Sequence, residues 1–510
     1  MAEALNRSVK RGVAWVVVER VVLQTLNLFT GVVLARLLTP TDFGIIGLAT
    51  LFTGLASRLV QFGFGMALVQ RETIRKEHIS AMFMLTLGIN TVIWLGLTVA
   101  SPSVGRYFQN PLVGSVLAVM AFNFLIRAIG ICPSALLRRA MNFKVITYGS
   151  IIDYTVNLGV AIVLAWKGFG VWSLAYGGLS GALAEKIYLF WAARWWPSLK
   201  TDREAVKDLF GFGVGVSFKS TLIYLFENAD NWIVGKNLGP AALGFYEKAY
   251  NLMNMPVREL SARMNSVLFP AFARIHKERG RLRAAFQKTL LSLSLISYPI
   301  FASLIVLAPE LIRVLYGPQW IRSIVPFQIL CVAGLPRIVT QVTSATINAS
   351  GIVTPEVSRR AIVFVLLVVG ALIGSHWGLV GVATAVALVN FLAGVMIWIL
   401  LTRLSAIALP DLFLAQRLPL LASLALIAVS LGTRAALAAM GRTEPILVLV
   451  LAGPLGAIAY GAVLFLLRDE PLKALAAEFG RDLKPLVARF IPGRRGGDGP
   501  SGSPPGGGTE

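Results

Sequence analysis

Apolar runs of about 20 residues recur along this chain from residue 13 to residue 468, and a run of that length spans a bilayer core. They fall at 13–35, 43–66, 79–100, 111–136, 146–166, 170–193, 210–235, 239–258, 289–309, 322–346, 360–375, 378–402, 418–440 and 444–467. In lipid, every backbone polar group must be satisfied within the spanning element, so runs of this length are read as helices. The chain is 56% hydrophobic and 14% charged, with a mean hydropathy of +0.73, far from the balance of a soluble protein of this size. The expected fold class is an all-α polytopic membrane protein with about 14 transmembrane helices.

The formal net charge of +22 would point to nucleic acid in a soluble protein. Here the Lys and Arg residues concentrate in the loops on the N-terminal side of the membrane. By the positive-inside rule both termini are expected in the cytoplasm, and nucleic acid is not expected as a partner. The first span follows Arg7, Lys10 and Arg11 but has no small-residue cleavage site, so it reads as a retained start-transfer helix. Cys132 and Cys331 fall inside spans and read as apolar packing residues. The histidines, His78, His276 and His376, are scattered, and neither a P-loop nor an HExxH motif is found. No loop is long enough for a catalytic domain, so no metal, cofactor or enzymatic activity is expected.

A pattern occurs twice, 200 residues apart. LTPTDFGIIGLA at 38–49 and LGPAALGFYEKA at 238–249 share Leu38/Leu238, Pro40/Pro240, Gly44/Gly244 and Ala49/Ala249. Arg36 is matched by Lys236, and Arg58 by Arg258. At an offset of 210, Arg127, Ser134 and Ala135 match Arg337, Ser344 and Ala345. Two repeats of six spans have the same orientation and surround a central cleft, as in transporters whose lobes rock about a shared site. The expected units are an N-lobe at 1–200, a C-lobe at 201–405, two extra helices at 406–469, a cytoplasmic amphipathic segment at 470–491 and a disordered Gly/Pro-rich tail at 492–510. The basic stretch 259–288, with Phe269, Phe272, Ile275 and Phe286 interleaved, reads as a surface helix on anionic lipid or as a plain topology-setting loop.

Charged residues inside spans are costly and face cavities or other helices. Arg20, Gln24, Asn27 and Gly31 share one face of span one; Ser220, Tyr224, Glu227 and Asn231 repeat that spacing in span seven. Glu247, Asn251, Asn254 and Arg258 repeat it in span eight, and span two offers Thr50, Gly54, Ser57, Arg58 and Gln61. These stripes are expected to meet across the cleft. Arg20, Arg58, Arg258, Arg127, Arg337, Lys186 and Lys219 all fall in the half expected to be cytoplasmic, and Lys248 in the other. Such a cleft suits an anionic substrate, and the planar fork of arginine suits a diphosphate. Snorkelling to lipid phosphates is the plainer reading of each single arginine. Glu185–Lys186 and Glu247–Lys248 are sequence neighbours, which do not face each other on a helix, so partners across helices are expected. Glu227, Asp230, Asp153 and Glu247 are candidates for ion coupling, against the plainer role of counter-ions.

ARLLTPTDFGIIGLA at 35–49, ADNWIVGKNLGPAALGFYEKAYNLMNMPV at 229–257 and LIRVLYGPQW at 311–320 resemble the polysaccharide flippases of the multidrug/oligosaccharidyl-lipid/polysaccharide exporter superfamily. The resemblance covers roughly residues 1–470 and looks most like the colanic-acid and teichuronic-acid type of Wzx flippase. It implies alternating access in a bacterial inner membrane. The implied substrate is an undecaprenyl-diphosphate-linked oligosaccharide, moved from the cytoplasmic to the periplasmic leaflet. A polymerase or export machinery is an implied partner, and the two lobes need no second copy, so a monomer is expected. Related lipid II flippases carry essential arginines in spans one, two and eight, and the resemblance implies, by span and depth, that Arg20, Arg58 and Arg258 take those places here. A drug/cation antiporter shares the fold but is expected to favour an acidic and aromatic cleft, whereas this one is expected to be basic on its cytoplasmic half. A membrane-embedded glycosyltransferase or polymerase is expected to carry a large loop or an acidic pair, and neither is present.

Overall fold

The computed structural model describes residues 2–59, 76–196, 203–349, 354–404 and 407–467. Gln61, the amphipathic segment expected at 470–491 and the tail at 492–510 lie outside the described residues.

Among the described residues there are fourteen long helices. They are α1 (Ala2–Leu37), α2 (Pro40–Leu59), α3 (Lys76–Tyr107), α4 (Pro111–Arg139), α5 (Phe143–Trp166), α6 (Val171–Ala193), α7 (Arg203–Asn237), α8 (Pro240–Ile275), α9 (Arg279–Val306), α11 (Ile324–Ala349), α12 (Thr354–Ser375), α13 (Gly378–Leu404), α14 (Leu409–Ala439) and α15 (Pro445–Leu466). A short α10 (Ala308–Leu315) and a 3-10 turn (Pro318–Ser323) lie between α9 and α11. Several starts follow from local chemistry. Proline, which lacks the amide hydrogen that a first turn leaves unpaired, opens α2, α4, α8 and α15. The Asn110 side chain caps α4 by accepting from the Leu112 amide at 3.0 Å.

Ten of these helices are long and apolar enough to cross a membrane by length and composition. The other four, α1, α6, α7 and α8, carry the charged residues Glu19, Arg20, Glu185, Lys186, Glu227, Asp230, Glu247, Lys248 and Arg258.

The repeat is visible as packing. In the N-lobe, α1 packs on α5, α2 on α4, α3 on α4, α4 on α6 and α5 on α6. Six helices later α7 packs on α12, α8 on α11, α9 on α11, α11 on α13 and α12 on α13. The lobes are thus two copies of one arrangement. They meet mainly through α2 on α8, with α7 against α2 and α3. The added pair α14 and α15 pack on each other and on α9 and α10. Tyr460 donates to the Leu295 carbonyl at 2.9 Å, and Arg434 pairs with the buried Glu310 at 3.1 Å.

The basic stretch 259–288 is helical and so departs from the plain-loop reading of it. α8 runs on to Ile275 and α9 starts at Arg279, so the stretch is a helical hairpin with a turn at 276–278. Phe272 and Phe286 are fully buried and join the core, so their apolar faces are covered by protein. Arg283 reaches Asp411 at the start of α14, at 2.6 Å, and Arg281 pairs with Glu278. Both cysteines are free and buried.

Candidate functional site

The stripe on α1 and the stripe on α8 face each other across a central cavity of about 660 Å³. From α1 it is lined by Arg20, Gln24, Asn27 and Gly31, with Leu23, Leu28 and Val32 between them. From α8 it is lined by Glu247, Lys248, Asn251, Arg258 and Glu259. Asn254 sits on α8 but does not line it. One end of the cavity is the mouth, where Arg20 donates to Glu259 at 3.1 Å and Arg258 donates to Asn251 at 3.0 Å. At about 1.5 Å per helical residue, Lys248 lies about 15 Å deeper than Arg258.

The deep end is closed by side chains of both lobes. The Lys248 ammonium lies 3.9 Å from the ring centre of Phe43, 5.2 Å from Tyr316 and 5.7 Å from Trp320. Such a cage holds a cation away from water by attraction to ring faces. Beyond it α2 and α8 cross. A Cβ on Gly44 would lie 1.7 Å from the Pro240 carbonyl oxygen, and one on Gly244 1.9 Å from that of Pro40. Only glycine permits this backbone approach.

The two flanks of the cavity differ although the sequence repeats. Tyr224, the partner of Gln24 at the offset of 200, donates to the carbonyls of Thr50 and Leu51 at 3.1 and 3.3 Å. Gly54 makes room for it, since a Cβ there would lie 2.2 Å from the Tyr224 hydroxyl. α7 is thereby pinned against α2, while α1 and α8 stand apart with the cavity between them. The span-seven stripe therefore does not reach the cavity, contrary to expectation. Asn231 donates to Asn228, Ser220 is half-buried a turn from Tyr224, and Glu227 turns into the C-lobe. Arg58 is stacked 5.9 Å over the Tyr224 ring and does not line the cavity.

Further charged candidates lie inside the lobes. Arg127 donates to Ser57 at 3.3 Å. Arg337 donates to Tyr250 at 3.1 Å and lines a second cavity of about 360 Å³ within the C-lobe, together with Glu227, Asp230, Arg359 and Arg360. Asp230 is buried and accepts from Tyr246 at 2.7 Å. In the N-lobe, Asp153 faces α6, where a Cβ on Gly181 would lie 2.4 Å from its carboxylate. Glu19 accepts from Ser150 at 2.8 Å. Glu185 and Lys186 pair with each other, against the expectation of partners across helices. The lysine stem is packed into the space left by Gly130, which turns its ammonium back onto its neighbour. The Lys219 side chain lies outside the described residues.

The cavity also uses residues that periodicity did not single out: Phe43, Tyr154, Glu259 and Tyr316. Glu259 follows Arg258 and Tyr154 follows Asp153, each about 100° around its helix from the residue singled out, so spacing alone does not reach them. Tyr316 is placed by the turn at Gly317, whose φ of 100° only glycine adopts freely.

The structure superposes on lipid II flippase MurJ in an inward closed conformation with a TM-score of 0.70, covering 91% of this chain and 98% of that one at 13% identity, a likeness of fold. The chain is 25% identical to lipopolysaccharide biosynthesis protein WzxC of Escherichia coli (strain K12) over 78% of its length and 82% of WzxC. It is 24% identical to teichuronic acid biosynthesis protein TuaB of Bacillus subtilis (strain 168) over 68% of its length and 72% of TuaB. The model of the polysaccharide biosynthesis protein family matches residues 33–325, more than half of the chain, and the chain belongs to that family.

Proposed function

We propose that this multi-pass membrane protein is a flippase for lipid-linked oligosaccharide, carrying undecaprenyl-diphosphate-linked repeat units between leaflets for polysaccharide biosynthesis. The observation that carries this reading is the α1–α8 cavity, which has Arg20 and Arg258 at its mouth and is closed at its deep end. A diphosphate held at the mouth lies near the level of the lipid headgroups. The sugars then extend into a polar cavity while the polyprenyl tail stays in lipid, outside the unpacked α1–α8 flank. Family membership and the likeness of fold to a lipid II flippase support the same assignment. The cavity's three basic residues, Arg20, Lys248 and Arg258, outnumber the carboxylates Glu247 and Glu259, which disfavours organic cations and so an antiporter.

In this reading the mouth faces the cytoplasm and the closed end the periplasm, as the positive-inside rule requires of the inner membrane. Transport alternates this form with one opened at the other end. Arg20 and Arg258 bind the diphosphate, with Gln24, Asn27 and Asn251 lining the path of the sugars. Glu247, whose carboxylate lies against Gly47 at the closed end, is the strongest candidate for ion coupling. Arg58, Arg127, Arg337 and Lys186 serve the lobes that form the cavity.

The test is leaflet sidedness in proteoliposomes. Undecaprenyl-diphosphate oligosaccharide with labelled sugar is incorporated, and a membrane-impermeant glycosidase reports which headgroups are accessible. Protein-dependent loss of protection, slowed by about tenfold or more in Arg258→Ala, is the expected result. Unchanged protection with folded protein and a matched sugar overturns the reading.

A further inference from the structure

The matched pair Arg36 and Lys236 takes no part in the cavity, yet each makes the same kind of contact. Arg36, in the last turn of α1, donates through Nη2 to the Val314 carbonyl and through Nε to the Leu315 carbonyl at 3.2 Å. Those carbonyls end α10, in the opposite lobe. Lys236, in the last turn of α7, donates to the Tyr107 carbonyl that ends α3, again in the opposite lobe. Its ammonium also lies 4.2 Å from the centre of the Tyr107 ring, and Trp232 donates to the Tyr107 hydroxyl at 3.3 Å. A third such contact caps α1 itself: Trp320 and Gln319 of the C-lobe donate to the Ala35 carbonyl at 2.8 and 3.0 Å.

The last carbonyls of a helix lack intrahelical donors and carry the negative end of the helix dipole, so a cation placed there is stabilised twice over. At the closed end of this bundle, three helix ends are satisfied from the other lobe. We propose that Arg36 and Lys236 are the two arms of one latch that holds this end shut, and that its strength sets how much of the protein has the closed end open. Charge-assisted bonds are directional, so parting the lobes by a few ångströms breaks both arms together, leaving the carbonyls to water. The glycine crossing of α2 and α8 lies beside both arms and, being backbone contact without charge, acts as the stop against which they pull. The Arg36 arm is modest, because its side chain is exposed, and the half-buried Lys236 adds one charge-assisted bond to it. That suits a latch that must release in every cycle: a large closing energy would trap one state.

The latch is tested without any lipid-linked sugar, so its failure is separate from failure of the flippase assignment. In full-length protein with Cys132 and Cys331 replaced by alanine, Ala35→Cys places a reporter thiol at a fully buried position under the latch. Proteoliposomes are treated with a membrane-impermeant maleimide on both sides, which makes orientation irrelevant. Arg36→Gln and Lys236→Gln are each expected to raise the labelling rate about three- to tenfold, and the double variant further. The exchange Arg36→Lys with Lys236→Arg keeps both charges and is expected to stay within about twofold of the parent. A double glutamine variant labelled at the parental rate overturns the proposal. So does a charge-retaining exchange labelled as fast as the double glutamine variant. If the double variant does not fold, Arg36→Gln alone decides, and a parental rate there overturns the proposal equally.

Discussion

Arg20 of α1 and Glu259 of α8 form an ion pair at 3.1 Å across the mouth of the central cavity, with side-chain exposures of 50% and 31%. A pair this open contributes at most about 1 kcal/mol to stability. Arg20→Ala is expected to leave the melting temperature within about 2 °C. It should cut flipping by about tenfold or more, as loss of a charge-assisted contact to a diphosphate does. Glu259→Gln frees Arg20 and is expected to hold or tighten binding of a polyprenyl-diphosphate analogue. Thermal unfolding and analogue binding read both outcomes, and weaker binding in Glu259→Gln would remove Arg20 from the site.

Arg258 and Arg58 are repeat partners with different surroundings, which separates their expected effects. Arg258 lines the cavity, whereas Arg58 is stacked on Tyr224 at the closed flank. Arg258→Ala is expected to lower transport by about tenfold or more with stability unchanged. Arg58→Ala should cost about 0.5–1 kcal/mol of stability through the lost ring contact, with a smaller effect on diphosphate binding. Equal loss of analogue affinity in the two variants would contradict this division.

At the closed end, Gly44→Ala and Gly244→Ala each drive a methyl group into a carbonyl oxygen of the facing helix. The backbones must move apart, at a cost of about 1–3 kcal/mol. A fall of several degrees in melting temperature is expected for either variant. The double variant should cost much less than the sum of the two, because one separation relieves both clashes. Additive losses in a double-mutant cycle would show two independent contacts instead.

Asp411 is 2% exposed and accepts from Arg283, Gln287 and the Ala408 amide, tying α14 to α9. Asp411→Ala removes a cap and an ion pair together and is expected to cost about 2–4 kcal/mol. Flipping per folded molecule should be unchanged, because α14 and α15 do not line the cavity. A variant with parental stability and lost transport would assign the added helices a role in the cycle.

The spans and the two-lobe plan are legible in the sequence because lipid imposes them locally: an apolar run must become a helix, and a repeated run must fold alike. Arg20, Gln24, Asn27 and Gly31 could be assigned to one face from spacing alone, and that face lines the cavity. The span-seven stripe misleads because helical spacing states which residues share a face, not what the face meets. Tyr224 is long enough to reach the Thr50 carbonyl over Gly54 and closes its flank, whereas Gln24 at the matching place leaves the other flank open. Arg127 and Arg337 stand at plausible depths, yet depth does not say whether a side chain turns into its own lobe. The 259–288 stretch reads as a surface helix or a loop because its charges interrupt the hydropathy, although Phe272 and Phe286 continue the flanking helices through it.

The crossing of Gly44 on Pro240 and of Gly244 on Pro40 has a consequence for how this surface can vary. It is an isologous contact inside a single polypeptide: a patch that meets its own duplicate, with each member playing both host and guest. Two half-length chains related by a true dyad would make the same contact. Because both copies are now written in one chain, each is free to change separately, but the geometry still ties them. Any bulk gained at residue 44 presses on the turn that begins with residue 240, and any gained at 244 presses back on the turn that begins with residue 40. The two positions therefore behave as one site read twice.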